Sequence, residues 1–163
     1  MVKESVVSNK KNSVSNFTQK LENLQNLMIA NNDKEGVYGD GKSLVNNDVF
    51  QITHDYSGPL YMRKMRMPSG SVVVSAIHHT DHFWFLLKGK ILVTTEGETV
   101  EHIAPCYSRS IKGAKRLIMC VEECLFINVI QNPSDSKNID DFEDQLFSIT
   151  LEEYNKKEKL WQE

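Results

Sequence analysis

The chain has 163 residues and a mass of 18.7 kDa, with 40% hydrophobic and 25% charged residues, enough for one domain with a core that needs no disulfides. A formal charge of −3 and a pI near 6.0 speak against general nucleic-acid binding, for which a domain-wide basic excess is expected. No apolar run approaches the about eighteen residues that cross a bilayer, and Met1–Ser5 leads into polar sequence without the apolar core of a signal peptide. A cytoplasmic protein with no membrane partner is the expectation.

Residues 1–16 are rich in Ser, Asn and Lys and read as a flexible tail. Phe17, Leu21, Leu24 and Leu27–Met28 then recur at helical spacing and predict an amphipathic helix of about three turns. Its stripe is suited to packing on the rest of the chain or on a second copy. Residues 31–57 carry Gly36, Gly39, Gly41 and several Asn and Asp residues, which reads as loop with one short strand around Val49–Thr53. Helix and loop together make a unit over 17–55.

From Leu60 the texture changes. Runs near 60–67, 71–78, 82–88, 90–95, 98–103, 106–111, 115–121 and 124–130 are short, apolar or alternating, and are separated by Pro-Ser-Gly, Lys-Gly, Glu-Gly-Glu and Glu-Glu breaks. Such spacing predicts an antiparallel β-sandwich or barrel over 56–133. A C-terminal helical extension, 134–163, follows. Asp140–Phe147 reads as an acidic helical turn or two, and Thr150-Leu151-Glu152-Glu153 has the capping-box pattern.

The chemistry-bearing stretch is Ala76-Ile77-His78-His79-Thr80-Asp81-His82, which holds three of the five histidines at the junction of two strand-like runs. Alternation puts His82 on one face with Trp84 and Leu86, and turns His79 and Asp81 away from it. His54 precedes the barrel near Asp55 and Tyr56 and reads as surface loop, while His102 reads as exposed. Cys106, Cys120 and Cys124 are an odd set read as reduced thiols, without the second pair that a zinc site needs.

Gly70, His78, His82 and Gly89 fall on the spacing of the first cupin motif, and in this the chain resembles the cupin superfamily. Leu60-Tyr61-Met62-Arg63, Pro68-Ser69-Gly70, Ile77–His82, Lys88-Gly89 and Gly113-Ala114-Lys115-Arg116 are more closely similar to a set of small cupin-like proteins common in bacteriophage genomes. The resemblance covers about residues 55–133. It implies a mainly β fold, a single cupin-type antiparallel β-barrel (jelly roll), with an N-terminal amphipathic helix and C-terminal helical segments. It also implies a homodimer and, for a phage-encoded chain, a location in the host cytoplasm or the virion.

The departures from the motif bear on function. Counted back from Gly89, His82 stands at the glutamate position, His78 is the second histidine of the pair and Ala76 replaces the first. In the second motif Arg116 stands where a histidine ligand is usual. Three readings stay open. In the first, His78 and His82, with Asp81 turned inward, hold a divalent transition metal (Fe, Mn, Ni or Zn), as in a metal-dependent cupin isomerase, lyase or dioxygenase. In the second, Arg116 binds a small anionic or sugar-like ligand beside His78 and His82, with Trp84, Tyr61 and Met119 as pocket walls and Lys115 outside. In the third, the barrel is a non-catalytic scaffold for a protein partner, and Arg116 pairs with Glu122 or Glu98.

Overall fold

Along the strand Cys124-Leu-Phe-Ile-Asn-Val-Ile-Gln131, every second side chain is buried. This is the period of a sheet with one face on a core. The same period runs through the neighbouring strands and builds the barrel. The computed structural model describes residues 6–32, 34 and 50–162, with side chains from residue 16 onward. Residues 1–5 of the expected tail and most of the expected loop, 33 and 35–49, lie outside the described residues.

Eleven strands are described: β1 (Gln51–Ser57), β2 (Leu60–Met67), β3 (Val72–Val74), β4 (Ile77–His78), β5 (His82–Lys88), β6 (Lys90–Thr95), β7 (Glu98–Ile103), β8 (Cys106–Ser110), β9 (Leu117–Cys120), β10 (Cys124–Gln131) and β11 (Phe147–Ser148). They form a five-stranded sheet in the order β1-β2-β10-β5-β8, a four-stranded sheet β3-β9-β6-β7 and a small β11-β4 pair. All neighbours are antiparallel. Both larger sheets contribute to one apolar cluster, with Met65, Trp84 and Phe126 from the first meeting Ile91, Val93 and Ile118 from the second. They therefore face each other across a shared core, as in a jelly-roll barrel.

The turn from β5 to β6 depends on Gly89. Its φ of +88° suits glycine, and a Cβ there would collide with the Glu123 carbonyl.

Helix α1 (Val6–Ile29) begins earlier than the apolar stripe. Its buried positions are Thr18, Leu21 and Gln25, while Leu27 is exposed. The helix therefore presents a mixed face to the rest of the chain. Glu22 accepts from the Leu151 amide at 2.6 Å, and Gln25 Oε1 accepts from Lys115 Nζ at 2.8 Å.

The C-terminal segment forms a 3₁₀ turn (Ile139–Asp141), α2 (Glu143–Leu146), β11 and α3 (Leu151–Leu160). Thr150 caps α3 by accepting from the Glu153 amide at 3.1 Å, and Glu153 reaches back to the Ile149 amide at 2.9 Å. A second apolar cluster of Tyr61, Ile130, Phe142, Leu146 and Phe147 docks this segment on one end of the barrel. Among the described residues no helix is long and apolar enough to cross a membrane.

Candidate functional site

Between the two apolar clusters lies a layer of polar side chains, placed there by strand register. Arg63 of β2 pairs with Asn128 of β10, Asn128 with Trp84 of β5, and His82 of β5 with Ser110 of β8. Each occupies an inward position of its strand's alternation. His78, on β4, stacks on His82 with ring centroids 4.0 Å apart and planes 19° from parallel, and it meets the edge of Phe147 at 4.7 Å. Arg116, just before β9, donates through Nη1 to Ser110 Oγ at 2.6 Å. The Arg63 guanidinium lies 5.0 Å from the Phe147 ring centre.

The electrostatics of this layer are one-sided. Burial, then the neighbouring His82, Arg63, Arg116 and His79, hold His78 well below the usual histidine range. Burial, with help from Arg116 and Arg63, lowers His82 to about 4, against hydrogen bonds to the Thr80 carbonyl and Asn128 that pull the other way. Both imidazoles are therefore neutral at pH 7. Burial lowers both arginines as well, yet each stays a cation at physiological pH.

Neither guanidinium forms an ion pair with a described residue. The Glu143 carboxylate stabilises the Arg63 charge through space. Arg63 Nε and His78 Nδ1 are buried without a hydrogen-bond partner among the described residues. Such groups are costly to leave unsatisfied.

Two expected site residues are corrected. Asp81 faces outward: its carboxylate accepts from Arg109 at 2.8 Å and from the Lys112 amide at 2.9 Å, and these partners hold its pKa below the usual range. Met119 is 41% exposed on β9, on the face opposite Ile118 and Cys120, so it does not line the interior. Trp84 does face inward, stacked on Phe126 at 5.3 Å and met by the edge of His102 at 4.9 Å, which makes it core beside the site. His102 is half-buried rather than exposed. Tyr61 is fully buried, and its hydroxyl shares a hydrogen bond with His54 Nδ1 at 2.8 Å.

Lys115 stays out of the barrel interior, as alternation predicted, but it is buried. Its Nζ donates to Gln25 and to the Ile149 carbonyl at 2.7 Å, and burial lowers its pKa to about 8. His79 also leaves the interior. Its Nδ1–H donates to Glu158 at 2.9 Å, Nε2 lies 2.8 Å from Ser148 Oγ, and its ring stacks on Tyr154. Arg116 pairs with neither Glu122 nor Glu98.

The donors present do not fit a transition metal. No group of three His, Cys, Asp or Glu side chains suited to a metal occurs among the described residues. An ion bound about 2.0–2.1 Å from an imidazole nitrogen must lie close to that ring's plane. Two near-parallel rings stacked at 4.0 Å cannot both meet that condition for one ion. Two guanidiniums beside them add repulsion.

Sequence reading missed Arg63, Asn128, Ser110 and Phe147. The signal was there for two of them: Arg63 follows Tyr61 and precedes Met65 on the inward phase of β2, and Asn128 stands between Phe126 and Ile130 on that of β10. A polar residue at an inward position marks either a buried network or a site.

No protein-family model matches this sequence, and no curated protein matches it. Solved structures with a similar fold include KdgF from Halomonas sp., at 15% identity and a TM-score of 0.47 over 55% of this chain and 85% of that one. A cupin-2 domain protein from Shewanella frigidimarina is similar at 14% identity and a TM-score of 0.46, over 53% of this chain and 84% of its own. An acetylacetone dioxygenase from Acinetobacter johnsonii is similar at 27% identity and a TM-score of 0.43, over 52% of this chain and 59% of its own. These likenesses assign no ligand, metal or reaction to this chain.

Proposed function

We propose that the protein binds a small organic anion inside the barrel, against Arg116 and the stacked pair His78 and His82. The observation that carries this reading is the half-buried Arg116 guanidinium, whose side-chain hydrogen bond among the described residues goes to a neutral hydroxyl, Ser110 Oγ. A half-buried cation without an anion is unfavourable, and a carboxylate or phosphate that pairs with it forms charge-assisted hydrogen bonds stronger than the one to a neutral hydroxyl. The orphaned His78 Nδ1 and the neutral imidazole of His82 supply further hydrogen bonds. A scaffold whose interior is satisfied by its own groups would leave neither His78 Nδ1 nor Arg63 Nε without a partner.

Calorimetric titration of the wild type with a panel of short carboxylates and inorganic phosphate tests the proposal. Saturable binding that Arg116→Gln weakens at least tenfold is expected. Absence of binding across the panel would refute it.

We propose a homodimer on a separate observation. The outer face of the five-stranded sheet exposes Phe83 (50%), Leu87 (50%) and Tyr107 (69%), continuous with half-buried Phe85, Ile127 and Val129. A contiguous apolar face of this kind is a protein-interaction surface. The ion pairs Arg109–Asp81 and Lys88–Glu123 beside it carry both signs. That balance suits an identical surface better than a partner of one charge.

A further inference from the structure

The site contains a second cation that the anion reading does not use. Arg63 stands on β2 and the Arg116 guanidinium rests on Ser110 of β8, with β10 and β5 between those strands. Three strand steps of about 4.8 Å separate the β2 and β8 backbones by about 14 Å. Of the intervening strands, β10 presents Asn128 level with Arg63, where β5 presents Trp84, and His82 stands one inward position farther along β5, level with Ser110. The polar groups therefore run diagonally across the sheet, from Arg63 and Asn128 at one level, past Trp84, to His82 and Ser110 at the next, where the Arg116 guanidinium rests.

Arg63 makes no hydrogen bond to a described residue, and its Nε is sealed from solvent without a partner. One compact anion held by Arg116 at the β8 end leaves Arg63 with only the through-space field of Glu143 to balance it. A ligand with two separated anionic groups satisfies both.

We propose that the ligand carries two anionic groups on a short backbone, as a small dicarboxylate does, with one group on Arg116 and the other on Arg63, and its middle along His82 and Asn128. This rests on the anion reading of the site and narrows its ligand class. The planar guanidinium fork matches a carboxylate at each end, and each charge-assisted pair is stronger than a neutral hydrogen bond. The spacing of the two anchors makes ligand length the selective property.

The test is equilibrium binding of malonate, succinate, glutarate and adipate, each beside a monocarboxylate of the same carbon number, with inorganic phosphate and a phosphorylated short-chain acid as further arms. Wild-type protein should bind the best dicarboxylate at least tenfold more tightly than its monocarboxylate counterpart, with an optimum in chain length. Arg63→Gln should erase that advantage, weakening the dicarboxylate far more than the monocarboxylate, and Arg116→Gln should weaken both. A phosphorylated acid binding at least as well as the best dicarboxylate would keep the two-group proposal and assign phosphate to one end.

Equal binding of mono- and dicarboxylates, or inorganic phosphate binding as tightly as any dicarboxylate, would overturn the two-group inference and leave the anion site standing. No binding in any arm would overturn both. Should Arg63→Gln fail to fold, the chain-length series on the wild type decides alone.

Discussion

Acid should destabilise this protein before its carboxylates titrate, and the buried pair His82 and His78 should be the main cause. The unfolded chain protonates His82 near 6.5, whereas the native chain holds it at about 4, chiefly through burial and then through Arg116 and Arg63. Between those values the unfolded state binds the extra proton, so stability falls as pH falls. From this difference His82 alone costs about 2 kcal/mol by pH 5 and about 3 kcal/mol as pH nears 4. His78, lowered in the same direction, adds to the loss.

The perturbed carboxylates Asp81, Glu123, Glu153 and Glu158 are held below their ordinary range, so their share is lost only as pH drops through about 4 and lower. The window from pH 6.5 to 5 therefore belongs to the histidines. Urea denaturation followed by tryptophan fluorescence, at half-unit steps across that window, should show the loss in the wild type. In His82→Gln the loss across the window should be smaller by about 1.6 kcal/mol, whatever the variant's stability at pH 7. Equal slopes in the two proteins would refute the burial of a neutral imidazole at this position.

Three further outcomes follow from local geometry. Gly89→Ala, at φ +88° and against the Glu123 carbonyl, should lower the denaturation midpoint far more than Gly97→Ala, whose φ of +87° meets open space and so isolates the backbone cost of about 1 kcal/mol. Glu158→Gln removes the carboxylate shared by buried His79 and Lys112 and should cost about 1–3 kcal/mol, with faster proteolysis of the C-terminal helix as a second readout. Phe83→Lys places a charge in the exposed sheet face and should convert a dimer to a monomer in sedimentation velocity, with the thermal midpoint of the monomeric fold little changed.

The barrel was legible in sequence because its strands alternate and end at breaks. The runs expected at 60–67, 82–88, 90–95 and 98–103 coincide with β2, β5, β6 and β7, and the Thr150 cap forms as its motif predicts. Local patterns of this kind depend on neighbours a few residues apart. The contacts that sequence could not supply join distant segments. His79 meets Glu158 across 79 positions, and Lys115 meets Gln25 across 90, so neither partner is visible from the strand pattern.

Half of the site was read from a motif and half was not. His78, His82 and Arg116 stand together as the spacing suggested, while Asp81 is drawn outward by Arg109 and the Lys112 amide. Arg63 lay in plain view on an inward phase. Its significance emerges only when register sets it beside Asn128, in the same polar layer as His82 and Ser110.

The most direct test of the anion site is NMR of protein labelled with ¹⁵N-arginine, observing the Nε–H resonances during titration with succinate. The resonances of Arg116 and Arg63 should shift together and saturate, while those of Arg66 and Arg109, already paired with Glu123 and Asp81, stay in place. Shifts confined to the exposed arginines, or none at all, would contradict an anion site inside the barrel.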